Sequence, residues 1–150
     1  MRRYAAMIVV LALGACGGED PEASLQRLVE SAEGAAEARD TGYFRGLIAT
    51  SYADSRGNDR DRIIDAVRGY FFTNQRIDVV TRIEETQLLG QDAARMTLLA
   101  GILGRGEGAG VLDGFDGRLY EIELELVQSG GDWQIIGARW ERALNARIGE

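Results

Sequence analysis

Of the side chains that most often carry chemistry, two are nearly missing. The 150-residue chain has one cysteine, Cys16, and no histidine. Histidine is the usual general base near neutral pH and the commonest metal ligand. Proton transfer or metal binding would therefore fall to carboxylates and tyrosines. Glu121, Glu123 and Glu125 alternate along one stretch, and in a strand they share a face. Several oxygen ligands suit a hard cation such as calcium. Same-face neighbours on a strand nevertheless lie about 7 Å apart, too far for one ion. Arg82, Arg95 and Arg139 fall on neighbouring stretches, and a solvated cross-strand charge ladder is the better reading. Such a ladder also discourages edge pairing. The run Gly104 to Gly110 has a phosphate-loop look. No helix follows it to aim amides at a phosphate, and Glu107, Asp113 and Asp116 would repel one. No nucleophile-elbow, zinc or dinucleotide motif occurs, and no metal or cofactor is expected.

The cysteine has a setting of its own. Met1-Arg2-Arg3-Tyr4 is a short basic start, and Ala5 to Ala15 is an unbroken run of apolar or small residues. That run is too short to span a bilayer but has the length of a signal-peptide core. It ends in Leu13-Gly14-Ala15-Cys16, which resembles the bacterial lipobox. The resemblance implies cleavage between Ala15 and Cys16 and acylation of the cysteine, with acyl chains such as palmitate, leaving the chain membrane-anchored. One acyl chain binds a membrane marginally, whereas two or more anchor it stably. The competing reading is an ordinary secretory signal with a chance cysteine. Gly17, not Asp, follows Cys16; by resemblance to enterobacterial lipoproteins this favours the outer membrane, facing the periplasm. The expected organisation is a signal peptide over 1–15, a tether over 16–22 and one domain over 23–150.

Composition narrows the partners. The formal net charge is −7, and every basic residue is arginine. Loss of Arg2 and Arg3 with the leader leaves 15 arginines against 24 acids, a charge of −9. An acidic surface repels phosphate backbones, so nucleic acid is not an expected partner. Peripheral binding to anionic lipid through basic residues is disfavoured likewise. With a hydrophobic fraction of 45%, the chain can build one ordinary core.

The elements that must position any site read in a simple order. Asp20-Pro21-Glu22 opens a helix with a cap, a first-turn proline and an acid. Leu25, Leu28, Val29, Ala32 and Ala36 then recur at helical spacing, with Glu30, Glu33 and Glu37 assigned mostly to a solvated face and an end near Arg39. Asp40 or Thr41 caps a short second helix bearing Tyr43, Phe44, Leu47 and Ile48. Asn58 and Asp59 open a third, with Ile63, Ile64, Val67, Tyr70 and Phe71 as its stripe. Strand alternation follows at Ile77 to Glu84, Ala94 to Ala100, Tyr120 to Leu126 and Trp133 to Arg142. Ser129-Gly130-Gly131-Asp132 is a tight turn. Gly104 to Gly117 reads as a long hairpin loop whose Val111, Leu112 and Phe115 pack on the domain, close over a pocket or meet a partner. Trp133 and Trp140 stand seven apart, which in an unbroken strand puts them on opposite faces. Three helices before about four antiparallel strands make an α+β domain.

This order resembles the NTF2-like superfamily, the cone-shaped α+β fold of ketosteroid isomerase and SnoaL relatives. The resembling segments are Ala38 to Phe44, Ile63 to Phe72, Gly131-Asp132-Trp133-Gln134-Ile135-Ile136 and Ala138 to Arg142. The resemblance implies three helices packed on a curved sheet, a pocket between them, and dimerisation across the outer sheet face in many relatives. Ketosteroid isomerase itself works with carboxylates and a tyrosine in an apolar site; relatives that use an Asp–His pair are excluded here. By that resemblance the weak catalytic candidates are Asp78, Glu84 and Asp113, with Tyr43, Tyr52, Tyr70 or Tyr120 as hydroxyl donors. None maps onto the enzyme residue by residue. The plainer reading leaves the acids in solvent and the tyrosines in the core.

Three functions follow. The preferred one is a non-catalytic, lipid-anchored envelope module that binds a small apolar ligand in the cone or a protein partner across the sheet. The second is a carboxylate-based isomerase, dehydratase or cyclase. The third is a structural envelope component, working as a homodimer or an accessory.

Overall fold

In the computed structural model the described residues are 18–105 and 116–143. The lipobox through Cys16, the loop residues Val111, Leu112, Asp113 and Phe115, and the segment 144–150 lie outside them. Three helices, α1 (Pro21–Glu37), α2 (Thr41–Leu47) and α3 (Arg60–Thr73), precede four strands, β1 (Arg76–Leu88), β2 (Ala93–Arg105), β3 (Asp116–Ser129) and β4 (Asp132–Arg142). The strands form one antiparallel sheet in the order β1-β2-β3-β4. The architecture is the expected α+β cone.

Each helix begins where an aspartate can accept orphan backbone amides. Asp20 accepts from Glu22 N at 3.3 Å, Asp40 from Tyr43 N at 3.1 Å and Asp59 from Arg62 N at 3.0 Å. The first helix opens at Pro21, inside the segment read as tether. At the end of α2, Arg60 donates through Nε to Ile48 O at 2.9 Å and through its guanidinium to Arg45 O at 2.5 Å. It thereby ties the start of α3 to the carbonyls that α2 leaves unpaired.

All four strands run longer than their alternation suggests. Gly104 pairs with Asp116 and Leu103 with Gly117, so the ladder takes four residues from the expected Gly104–Gly117 loop. Two bulges shape the sheet. One lies between Ile83 and Glu85, the other at Ile136, where Glu125 pairs with Gly137 but Leu126 with Ile135. A bulge bends its strand and shifts the alternation by one residue. The second bulge therefore brings Trp133 and Trp140 to the same concave face, correcting the expectation of opposite faces. Trp133 is buried and donates from Nε1 to Ser24 Oγ at 2.8 Å, fastening β4 to the first turn of α1. Trp140 pairs with Ile122 on the same side. Gly130 and Gly131, with φ of +61° and +93°, make the two-residue turn between β3 and β4.

The core lies between α1 and the middle of the sheet, with Leu25, Met96 and Leu126 fully buried. A second cluster of Ile48, Tyr52 and Ile64 sits under the connection between α2 and α3. That connection also lines the edge of β4. Ala49 N donates to Ile135 O at 3.0 Å and Ala53 N to Ile136 O at 3.1 Å. Asp54 organises the turn that follows, accepting from Arg56 N at 2.9 Å, Asn58 N at 3.0 Å, Asn58 Nδ2 at 2.9 Å and the Tyr52 hydroxyl at 3.1 Å. Desolvation pushes the Asp54 carboxyl upward, but these donors outweigh it and hold its pKa below the ordinary value of 3.8. Burial, then the hydrogen bond and charge of Asp54, raise the pKa of the Tyr52 hydroxyl.

A depressed carboxylate stabilises the fold above its ordinary pKa and ceases to do so as the pH falls through its folded value. Asp54→Ala is expected to lower the unfolding midpoint at pH 7. In chemical denaturation at stepped pH, its deficit relative to the parent should shrink once the pH drops below 3.8. A deficit that stays constant into acid would show that Asp54 acts through packing alone.

Candidate functional site

The concave face of the sheet and the apolar stripes of the helices do not close completely on each other. They leave a cavity of about 410 Å³. Its roof is Leu28, Val29, Ala32, Glu33 and Ala36 of α1, Phe44 and Leu47 of α2, and Ala66, Val67, Tyr70 and Phe71 of α3. Its floor includes Ile77, Val79, Thr81, Leu98, Ala100, Ile102, Ile122, Leu124 and Ile135. The floor residues come together because register partners share a face: Thr81 with Ala100, Leu98 with Ile122, and Val79 with Ile102. Phe44 and Phe71 meet edge to face, 5.8 Å between centroids, at the junction of α2 and α3. The lining is nearly all hydrocarbon, with Glu33, Thr81 and Tyr70 as its polar members among the described residues.

Glu33 is placed by two hydrogen bonds. Its Oε1 accepts from Thr81 N at 2.7 Å and also from the Thr81 hydroxyl. One turn further along, Glu37 Oε1 accepts from Val79 N at 3.2 Å. Both amides point away from β2, because β1 is an edge strand. The carboxylates thus stand in for a missing neighbouring strand. Glu33 is half-buried there, which corrects its assignment to a solvated face, whereas Glu37 stays exposed as expected. Glu33 lies four residues after Val29 and three before Ala36, at the border of the apolar stripe; that spacing was the available signal.

The other candidates are distributed differently. Asp78 alternates with the floor residues Ile77 and Val79, so it lies on the convex face, where Arg76 Nε stands 3.6 Å away. Glu84 sits at the β1 bulge, beside Arg82 Nε at 2.5 Å, and does not line the cavity. Neither acid faces the cone as carboxylate catalysis would need. Asp113 is outside the described residues. Tyr43 is half-buried in a separate groove and donates to Leu28 O at 3.4 Å. Its pKa is raised by burial, against the opposing effect of Ser31. Tyr52 donates to Asp54.

Tyr70 alone among the described candidates lines the cavity. A methyl group added at Gly104 would stand 2.5 Å from its hydroxyl, so β2 needs glycine there to let the ring reach the sheet. Tyr120 and Trp140 line an adjoining groove with Arg118, which shares Tyr70, Ile102 and Ile122 with the cavity.

The convex face carries the charge ladder. Arg139 donates to both oxygens of Glu123 at 3.1 and 3.0 Å, and Arg95 lies 3.5 Å from Glu125. Arg82 pairs instead with Glu84 on its own strand. Among the described residues no group of three acids or cysteines is placed to hold a metal ion.

No family model matches the chain, and no curated protein does. Solved structures do match its fold. A protein from Novosphingobium aromaticivorans named a putative scytalone dehydratase superposes with a TM-score of 0.73 at 9% identity, covering 82% of this chain and 84% of that one. A ketosteroid isomerase-like protein from Erwinia carotovora atroseptica gives 0.66 at 14% identity, covering 84% and 98%. An NTF-2 like protein of unknown function from Silicibacter pomeroyi gives 0.61 at 16%, covering 81% and 94%. The chain has the NTF2-like fold. At these identities the likeness concerns fold alone.

The Thr81 hydroxyl is the test of how the cavity rim is built. Thr81→Val keeps the amide but loses one charge-assisted bond, and should cost about 1 kcal/mol in urea unfolding. Thr81→Ser should recover most of that loss. Equal stability of Thr81→Val and parent would mean that the amide alone holds Glu33.

Proposed function

We propose that this chain is a lipid-anchored protein of the bacterial cell envelope whose NTF2-like domain holds a small apolar ligand without transforming it. The cavity carries the reading. Its volume of about 410 Å³ falls within the roughly 300–1,000 Å³ common for small-molecule sites, and hydrocarbon burial supplies the affinity. The one carboxylate among its described lining residues is engaged by Thr81, and the acids on β1 named as catalytic candidates do not line it. The anchor rests on the lipobox ending at Cys16. Among the described residues no helix is long and apolar enough to cross a membrane. Gly17 after Cys16 supports the outer membrane, facing the periplasm.

Native mass spectrometry of the chain from residue 16, carrying Cys16→Ser and mixed with total envelope extract, tests the cavity. A discrete bound small molecule is expected. Ala100→Phe, which fills the floor, should weaken its binding by about tenfold or more while the protein stays folded. A bare protein under conditions that keep a known weak complex intact would overturn ligand binding and favour the structural role.

Cys16→Ser in the whole chain should abolish lipidation and move the protein from the membrane to the soluble fraction. Outer-membrane fractionation of that unlipidated variant would refute the anchor.

A homodimer would use the convex face, where Val80, at 71% exposure, lies beside Gly101 and Leu119 in the register. Sedimentation should then show a dimer that Val80→Glu dissociates; a monomeric parent would rule it out.

A further inference from the structure

Glu33 is the one charged side chain among the described residues that line the cavity. The contacts of its carboxylate with the amide and the hydroxyl of Thr81 are made by the same oxygen, Oε1. The group is therefore fixed in direction while Oε2 takes no part in that anchoring. An ionised carboxylate only accepts hydrogen bonds. The hydroxyl of Thr81, the neighbouring polar group, already donates to Glu33. Surrounding hydrocarbon makes any charged group left unpaired costly and any paired one more strongly attractive than in water. Arg118 lines the adjoining groove with Tyr70 and Ile122 and does not line the cavity.

We propose that Glu33 sets the ligand class of this cavity: apolar molecules ending in a hydrogen-bond donor, an amine above all or a hydroxyl, and not those ending in a carboxylate. The inference rests on the reading of the cone as a ligand site and adds its specificity. The hydrocarbon body fills the space between α1, α3 and the sheet. The terminal donor meets the free side of the Glu33 carboxylate at the rim beside β1. A fatty acid of the same length would bring a second negative charge to that point.

Three probes of one chain length separate the possibilities: decylamine, decanol and decanoate, each below its micellar concentration. They are titrated calorimetrically at pH 7 into the chain from residue 16 carrying Cys16→Ser. Decylamine should bind about tenfold or more tighter than decanoate, with decanol between them. Glu33→Gln, nearly the same size and still an acceptor, should bring amine and carboxylate to within about twofold and leave decanol unchanged. The overall acidity of the protein attracts any amine, but one substitution among 24 acids barely alters that background. A preference that survives Glu33→Gln therefore overturns the proposal.

Should that variant fail to fold, the Thr81 amide resonance of the parent serves instead. It should move on adding decylamine and hold still with decanoate. Decanoate binding as tightly as decylamine overturns the selectivity and leaves the ligand site standing. Binding of none of the three overturns both.

Discussion

The amides of Val79 and Thr81 face away from the rest of the sheet, and the position of α1 follows from how they are satisfied. An unpaired edge strand invites another chain. Here Glu37 and Glu33, one helical turn apart, accept from those two amides, two residues apart on the strand. The match works because one turn of helix rises about 5.4 Å and two strand residues about 7 Å, distances that two flexible glutamates can reconcile. The helix is held along the margin of β1, its apolar stripe turned over the concave face. Seated there it packs on the sheet centre at Leu25 and Val29 but stands away from the floor at Ala32 and Ala36. Small side chains at the second pair leave space that larger ones would fill. The same interaction therefore blunts the edge, docks the helix and positions the cavity.

The opposite edge is treated by other means. Along β4 the segment after α2 supplies backbone donors to Ile135 and Ile136. The bulge at Ile136 makes this possible by turning that carbonyl outward and advancing the alternation. It also explains why a strand with tryptophans seven apart puts both on one side. Trp133 closes the core against Ser24, and Trp140 takes the guanidinium of Arg56, 4.5 Å from its ring centroid, while its carbonyl accepts from the same side chain at 2.8 Å. Among the described residues no aromatic side chain covers the outer face, and charged pairs occupy much of it.

Much of this was legible in the residues. The three capping aspartates, the 3.6-residue stripes and the four alternating stretches give the elements in order, and the Gly130-Gly131 turn gives one hairpin. What stayed hidden depends on contacts between distant segments. A bulge at Ile136 leaves no mark in Gln134-Ile135-Ile136-Gly137, a run that reads as ordinary strand. The extension of β2 to Arg105 crosses glycines that local chemistry assigns to a loop, but the ladder with Asp116 and Gly117 overrides it. Glu33 looks fully solvated because helical periodicity ranks positions by face. It does not know that a strand edge with vacant amides will lie along that border.

The distribution of acids has a deeper regularity. Between bulges strand alternation holds, so a sheet whose inward positions are mostly apolar sends its acids outward together. Asp78, Glu121, Glu123 and Glu125 are all subject to it. A sheet patterned this way can offer its cone an acid only by spending a core position. A helix has no such restriction, since 3.6 residues per turn never divide a face cleanly and leave boundary positions that touch both apolar interior and polar rim. Glu33 occupies such a boundary. In this domain, then, the search for polar chemistry in the cone belongs on the helical roof. The strand acids that first attract attention serve the solubility and pairing of the outer face.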